Sequence, residues 1–175
     1  DHVTFDLAST SVTIGQPGQP GLTDGASGSA GVATFTDLRA GLALPDGRLL
    51  VAERDRIRTI RYRATVDEPV GLTRTLATAM SPGWALRLED VRGLARRGDG
   101  NVLVSDAARK VVLLLDPTTG AMRSWLGTPD AGAGGQSMLV DGESAAIRLV
   151  RPGPMVVLSD GRIALGDGNS VRMIR

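Results

Sequence analysis

Short apolar runs alternate along this chain with turn-forming segments rich in Gly, Pro, Asp and Asn. One arrangement occurs three times: an Asp-Gly pair, a short apolar run, and an acidic residue seven positions after the aspartate. The copies start at Asp46, Asp99 and Asp160 and end at Glu53, Asp106 and Asp167. Asp-Gly favours a tight hairpin turn, and a short apolar run bounded by turn signals is typical of a strand. Each copy therefore predicts a hairpin followed by a buried strand that ends in an acid.

The flanking residues extend each copy into a unit of short strands. The first unit, within 31–80, has predicted strands at 40–44, 49–53, 57–63 and 72–79. The second, within 90–127, has them at 91–96, 102–106, 110–116 and 121–126. The third, within 145–175, has them at 154–158, 162–165 and 170–174 and lacks a fourth. Strands at 2–7 and 11–14 form a partial unit within 1–15, and glycine-rich connectors at 15–30 and 128–142 lead into the first and third units.

The units recur at intervals of 53 and 61 residues, which is typical of the blades of a β-propeller. Each blade is too small to bury its own faces, so neighbouring blades must stack. We therefore predict an all-β fold, a propeller segment of three four-stranded blades with the last one incomplete. Closed propellers have about four to eight blades. Three blades are too few to close a ring. The ring must therefore be completed, either by further blades of a larger propeller or by a second chain.

Composition narrows the possible chemistry. The hydrophobic fraction of 42% indicates a folded domain, and a net charge of +1 gives no overall attraction to nucleic acids or anionic membranes. The absence of cysteine excludes disulfides, thiolate metal sites and cysteine nucleophiles. The one histidine, His2, is the only residue on which a Ser-His-Asp triad could be built. No apolar run approaches the ~20 residues of a membrane helix. Because the sequence begins at Asp1 rather than Met, we expect either a processed product or a fragment of a longer protein, and the fragment is favoured.

The order of motifs around the first unit resembles that of NHL-repeat β-propellers. The motifs are G-x-P, DG, A-x-F, GLA-x-x-DG-x-LLVAE and IR-x-I, carried by Gly15, Pro17, Asp24, Gly25, Phe35, Gly41, Leu42, Ala43, Asp46, Gly47, Leu50, Val51, Glu53, Ile57, Arg58 and Ile60. The second and third units repeat the core of this pattern, with departures at Arg109-Lys110 and at Met155. The resemblance implies a rigid scaffold whose loops contact a protein partner. Some members of the family bind RNA instead.

The three strand-end acids, Glu53, Asp106 and Asp167, support two interpretations. They could form an acidic ring near the propeller axis and bind Ca²⁺ through carboxylate oxygens, as in some propeller hydrolases and lyases. Alternatively, each carboxylate accepts backbone N–H bonds in the turn to the third strand. The second interpretation is favoured, because a metal site needs ligands that differ between blades. Calcium is thus an alternative, and no other cofactor is expected.

The residues with the strongest potential for interaction lie in loops and in a basic stretch. Arg61 and Arg63 end an arginine-rich segment that could contact RNA, although nearby acids offset its charge. Asp24 and Asp141 lie in the connectors, and Trp84 lies in the loop before the second unit. Because no convergent catalytic groups are visible, we predict a non-enzymatic scaffold that binds a protein partner, through these residues. A calcium-dependent hydrolase or lyase and an RNA-binding propeller are the alternatives.

Overall fold

The computed structural model describes residues 14–26, 32–62, 71–78, 87–127 and 147–175, and these residues form strands and no helix. The strands are β1 (Ala40–Ala43), β2 (Arg48–Glu53), β3 (Arg56–Arg61), β4 (Thr73–Ala77), β5 (Val91–Arg96), β6 (Val102–Asp106), β7 (Val111–Leu115), β8 (Met122–Leu126), β9 (Pro152–Val157), β10 (Ile163–Asp167) and β11 (Ser170–Ile174). The strands predicted at 2–7 and 11–14 lie outside the described residues, apart from Ile14. In the described part of the chain, no helix is long and apolar enough to cross a bilayer.

The strands form three antiparallel sheets in which each strand pairs with the next one along the chain. Their orders are β1-β2-β3-β4, β5-β6-β7-β8 and β9-β10-β11, here called blades 1, 2 and 3. This arrangement confirms the predicted all-β propeller segment, and among the described residues the last blade has three strands.

The Asp-Gly pairs form the hairpins between the first and second strands of the blades, as predicted. Gly47, Gly100 and Gly161 have φ angles of +85°, +90° and +84°, which side chains with a Cβ rarely adopt. The aspartate before each glycine accepts a bond from the backbone N–H two residues later, at 3.1, 3.0 and 3.0 Å. The side chain thus closes the turn locally, which explains why the pair recurs at the same place in every blade.

Stacking of the blades buries both sheet faces of blade 2, one face of blade 1 and one face of blade 3. We define the front face as the one that carries the residue before the strand-end acid, and the back face as the opposite one. The front of blade 1 and the back of blade 2 share one cluster, which includes Leu50, Ala52, Val102, Val104 and Leu113. The front of blade 2 and the back of blade 3 share another, which includes Leu103, Val112, Leu114, Ile163 and Leu165. Every interior interface is therefore a front face against a back face.

The first strands of the blades lie innermost, since β1 contacts β5 and β5 contacts β9. At the second of these contacts the backbones approach closely at Gly93. A Cβ added to Gly93 would lie 2.6 Å from the carbonyl oxygen of Gly153 and 3.0 Å from Ser105 Oγ. The Ser105 hydroxyl itself donates to the Gly153 carbonyl at 2.7 Å. The spacing of blades 2 and 3 thus depends on the absence of a side chain at Gly93.

We expect Gly93→Ala to lower the free energy of unfolding by about 1–3 kcal/mol, because the new methyl group meets rigid backbone rather than a movable side chain. Gly98→Ala is the matched control, since nothing lies within 4 Å of its added Cβ. Urea denaturation of both variants measures the difference. Equal stability of the two variants would contradict this account of the contact between blades 2 and 3.

Candidate functional site

The three strand-end acids are buried, each in its own blade. Glu53 accepts the N–H of Thr36 at 2.7 Å. Asp106 accepts the N–H groups of Glu89 and Asp90 at 2.8 and 3.2 Å. Asp167 accepts those of Val150 and Arg151 at 2.8 and 2.7 Å. All these donors lie 16 or 17 residues before the acid, in the segment that leads into the first strand of the same blade.

The predicted bond in the turn to the third strand occurs in blade 2, where Asp106 also accepts the N–H of Arg109 at 3.1 Å. The bonds to the lead-in segments were not predicted. Among the described residues, no group of three or more His, Cys, Asp or Glu side chains is placed to hold a metal ion. A calcium role for Glu53, Asp106 and Asp167 therefore stays a prediction.

An arginine inside blade 1 joins the connector to the sheet. Arg58 is fully buried on β3, and its guanidinium contacts Asp24 Oδ1 at 2.8 Å and Glu53 Oε2 at 3.4 Å. It also donates to the carbonyls of Thr23 and Thr34 and lies 4.6 Å from the centre of the Phe35 ring. Asp24 in turn accepts the backbone N–H of Thr75 on β4 at 2.7 Å. One side chain thus binds the connector, the strand-end acid and the lead-in segment together.

Blade 3 repeats this arrangement and blade 2 does not. Arg172 follows Asp167 by five residues, as Arg58 follows Glu53, and its Nε lies 3.0 Å from Asp167 Oδ2. Arg172 donates to the Arg148 carbonyl at 2.9 Å, 24 residues upstream, the same separation as between Arg58 and Thr34. The corresponding register position of blade 2 holds Leu113. A buried arginine therefore occurs in the two blades that a glycine-rich connector precedes.

A chain of ion pairs, between the segments that lead into β1 and β5 and the start of β5, was not predicted from the sequence. Arg39 contacts Asp37 and bridges to Asp90 at 3.0 Å, and Arg92 contacts Asp90 at 2.8 Å. The signal was present in the sequence, because Asp-x-Arg occurs at 37–39 and again 53 residues later at 90–92. These pairs join the lead-in segments of blades 1 and 2. Their charges are largely matched within the chain, so they hold the blades together.

A basic cleft lies at the seam between blades 1 and 2, at the opposite end of β2 from Glu53. Three arginines from three strands, Arg48, Arg61 and Arg74, line a cavity of about 420 Å³, which is the size of a small-ligand pocket. The rest of the lining is Asp46, Thr59, Leu72, Thr75, Leu76 and Thr118. The last of these belongs to the β7–β8 turn of blade 2, so both blades contribute to the cleft.

The strand register explains why these arginines converge. Arg48 pairs with Arg61 across β2 and β3, and Thr59 pairs with Arg74 across β3 and β4. Directly paired residues, and residues two apart on a strand, share one face of a sheet. Arg48 is held in place by Asp46 at 2.7 Å and by the Pro117 carbonyl at 2.7 Å. Arg48 is thus held at the edge of the front face of blade 1, beside Arg61 and Arg74 in the lining of the cleft.

The structure places the predicted interaction residues in different settings. Arg61 lines the cleft, where its Nη1 donates to the Asp46 carbonyl at 2.9 Å. Asp24 is paired with Arg58 and lies on the other side of the blade from Arg61. Arg63, Trp84 and Asp141 lie outside the described residues. Sequence reasoning therefore found one arginine of the cleft and missed Arg48 and Arg74.

Comparison with known proteins supports the fold. No known protein family and no curated protein matches the sequence. The structure is similar to a solved auxiliary nutrient binding protein from Bacteroides thetaiotaomicron, with a TM-score of 0.62 at 14% identity over 83% of this chain. It is also similar to virginiamycin B lyase from Staphylococcus aureus, with a TM-score of 0.47 at 13% identity over 79% of this chain. The chain spans 40% and 37% of the lengths of these two proteins. At such identities the first similarity shows a β-propeller fold and nothing about activity.

Replacing Arg58 with methionine should lower the free energy of unfolding by about 3–5 kcal/mol, because it leaves Glu53 and two carbonyl groups buried without their partner. Arg56→Met is the matched control on the same strand, since its partner Asp55 has a side chain that is 51% exposed. An exposed pair of this kind contributes at most about 1 kcal/mol. Thermal and urea unfolding of the two variants test the difference, and a loss of similar size in both would contradict the role of Arg58.

The pKa of Asp24 provides a pH test of the same contacts. Partial burial raises this pKa, but the bonds from Thr75 and the Arg58 guanidinium outweigh that effect and hold it below its ordinary value of 3.8. Ionised Asp24 therefore stabilises the fold above pH 3.8, and this contribution is lost as the pH falls through the lower folded-state pKa. We expect Asp24→Asn to be less stable than the parent at pH 7 and the gap to narrow below pH 3.8. Urea titrations across this range check it, and a gap independent of pH would contradict the ion pair.

Proposed function

We propose that this chain is part of an NHL-type propeller that acts as a non-enzymatic scaffold and binds an acidic segment of a protein partner in the basic cleft. The observation that carries the proposal is the convergence of Arg48, Arg61 and Arg74 on one cavity of about 420 Å³. Arginine binds carboxylates through two parallel hydrogen bonds, which makes it the preferred residue for acidic side chains.

The NHL assignment draws support from the way the repeats are used. In each blade the Asp-Gly pair forms a hairpin and the acid seven residues later binds the lead-in segment. The motifs of the resemblance thus coincide with the contacts that organise each blade. Arg58, which belongs to the IR-x-I motif, joins the connector to the sheet.

The lining of the cleft favours binding over catalysis. It contains arginine, threonine, leucine and one aspartate. Arginine stays protonated at any physiological pH, so it neither accepts nor delivers a proton. Asp46, the one carboxylate, is paired with Arg48, which holds its pKa below 3.8 against the opposing effect of burial. The site can therefore hold and orient an anionic group, whereas general acid–base chemistry has no suitable residue among those of its lining.

The same lining favours a peptide over a nucleic acid. Leu72 and Leu76 provide apolar surface beside the arginines, which suits a peptide that mixes acidic and aliphatic side chains. Single-stranded nucleic acids are bound by aromatic platforms along a basic groove. None of the lining residues is aromatic.

We expect a labelled peptide of alternating Glu and Leu residues to bind the chain in fluorescence anisotropy, with an affinity that falls as salt is added. Reversing a charge of the cleft, in Arg61→Glu or Arg74→Glu, should weaken binding at least about tenfold, or about 1.4 kcal/mol. The control is Arg123→Glu on β8, an exposed arginine outside the cleft, which should change the affinity less than about twofold.

A single-stranded RNA oligonucleotide tested in the same assay separates the alternatives. Binding of RNA but not peptide, with sensitivity to Arg61→Glu, would overturn the protein-partner proposal and support the RNA-binding one. Peptide binding that Arg61→Glu and Arg74→Glu leave unchanged would show that the cleft is not the binding site.

A further inference from the structure

The lining of the basic cleft carries more positive than negative charge. Among the described residues, three arginines against one aspartate give the lining a formal charge of +2. A carboxylate ligand carries a single negative charge, so it would neutralise only part of this excess. A phosphorylated serine or threonine carries a charge of about −1.5 to −2 at pH 7. The charge of the lining therefore matches a phosphoryl group better than it matches a carboxylate.

The three arginines reach the cleft from three neighbouring strands. Arg48 and Arg61 are direct partners across β2 and β3. Arg74 is diagonal to Arg61 across β3 and β4, because it pairs with Thr59. The Cβ atoms of such residues lie about 5 Å apart in a direct pair and about 7–8 Å apart on the diagonal. A phosphoryl group offers three acceptor oxygens in different directions, whereas a carboxylate offers two. Donors that start from three separate positions suit the first geometry.

Arg48 provides a fixed charge at the site. Its Nε and Nη2 contact Asp46 Oδ2 at 2.8 and 2.7 Å, and its Nη1 donates to the Pro117 carbonyl of blade 2 at 2.7 Å. The side chain is only 17% exposed. Because these contacts already hold the guanidinium in one place, little side-chain freedom is left to lose when an anion binds beside it.

The other two arginines are more accessible. Arg61 is half-buried and Arg74 is exposed on β4. Long side chains of this kind can adjust to the oxygens of an incoming group, and arginine binds phosphate through two parallel hydrogen bonds. Thr118, an exposed residue of the β7–β8 turn, adds a hydroxyl-bearing side chain from blade 2 to the same lining. The cleft thus combines a fixed charge with adaptable donors.

We propose, building on the binding role proposed above for the cleft, that the acidic segment of the partner contains a phosphorylated serine or threonine whose phosphoryl group is bound between Arg48, Arg61 and Arg74. Arginine clusters are a recurring means of recognising phosphorylated motifs. The phosphodiester of a nucleic acid carries one negative charge per group, so it matches the charge of the lining less well. Leu72 and Leu76 then contact the aliphatic residues that flank the phosphorylated one.

Three labelled peptides that differ at one position test the proposal. All have alternating Glu and Leu residues, and the central acidic position holds glutamate, phosphoserine or serine. In fluorescence anisotropy we expect the phosphoserine peptide to bind at least about tenfold more tightly than the glutamate peptide, and the serine peptide to bind most weakly. Binding of the glutamate peptide reports on the binding role of the cleft, whereas the ratio of the first two affinities reports on the phosphoryl group.

The pH dependence of this ratio gives a second test. The cleft has no histidine in its lining, and its arginines stay protonated. Burial raises the pKa of Asp46, but the bonds from Arg48 outweigh this effect and hold it below 3.8. The second ionisation of phosphoserine has a pKa of about 6, whereas glutamate is ionised above about 4.3. The advantage of phosphoserine should therefore grow between about pH 5 and about pH 7.5. An advantage that does not change over this range would overturn recognition of the dianion.

Charge reversal shows where the phosphoryl group binds. Arg61→Glu and Arg74→Glu should each weaken binding of the phosphoserine peptide at least about tenfold. The control is Arg123→Glu, an exposed arginine on β8 outside the cleft, which should change the affinity less than about twofold. Circular dichroism checks that all three variants keep the fold of the parent.

The possible outcomes separate this proposal from the binding role itself. Equal affinities for the phosphoserine and glutamate peptides, both weakened by Arg61→Glu, would overturn the preference for phosphate and leave the binding role intact. A preference for phosphoserine that survives Arg61→Glu and Arg74→Glu would overturn the assignment of the phosphoryl group to the cleft. Failure of both peptides to bind would overturn both proposals. Tighter binding of a single-stranded RNA than of the phosphoserine peptide, with the same sensitivity to Arg61→Glu, would support a nucleic acid instead.

Discussion

The carboxylate that ends the second strand of each blade is the interaction on which the rest of the structure depends. Glu53, Asp106 and Asp167 each hold backbone N–H groups of the segment that leads into their own blade. A buried carboxylate that accepts such bonds is satisfied, whereas the same group without them would be costly. The bonds fix where the chain enters the innermost strand, and thereby how the front face of one blade meets the back face of the next.

In the two blades that a glycine-rich connector precedes, a buried arginine adds further contacts to the strand-end acid and the lead-in segment. In blade 1, Arg58 holds Asp24 and two carbonyl groups, so its side chain attaches the connector to the sheet. In blade 3, Arg172 keeps the contact to the strand-end acid and to the lead-in carbonyl. Blade 2, with Leu113 at this position, fills the space with the apolar core that it shares with blade 1. The same register position on the third strand thus holds a buried arginine in blades 1 and 3 and a buried leucine in blade 2.

The two ends of β2 lie in different environments. At one end Glu53 is buried and matched by bonds within the chain. At the other end Arg48 and its neighbours line an open cleft. The stabilising contacts of Glu53 and the cleft proposed for binding thus lie one strand length apart. The same separation explains why the cleft, rather than the row of acids, is the better candidate for a binding site.

The sequence by itself determined the local elements, because their signals are local. The strands Val91–Arg96, Val102–Asp106 and Ser170–Ile174 were predicted to the residue, since alternation and Asp-Gly turns act over a few positions. The strand predicted to start at Lys110 begins one residue later, because Lys110 takes a left-handed φ of +56° in the turn. For the candidate site, the arginine-rich stretch marked Arg61 but gave no reason to join it to Arg48 or Arg74.

Only the tertiary structure decided which distant groups meet. The partners of Glu53 and Arg58 lie 17 and 34 residues away, and Thr118 reaches the cleft from another blade. No periodicity encodes such pairs, because they depend on the strand register and on how far each blade is rotated against its neighbour. A residue's chemistry can be read along the chain. Whether the side chain is fully buried, as in Arg58, or lines an open cleft, as in Arg61, is set by what the stacked blades bring beside it.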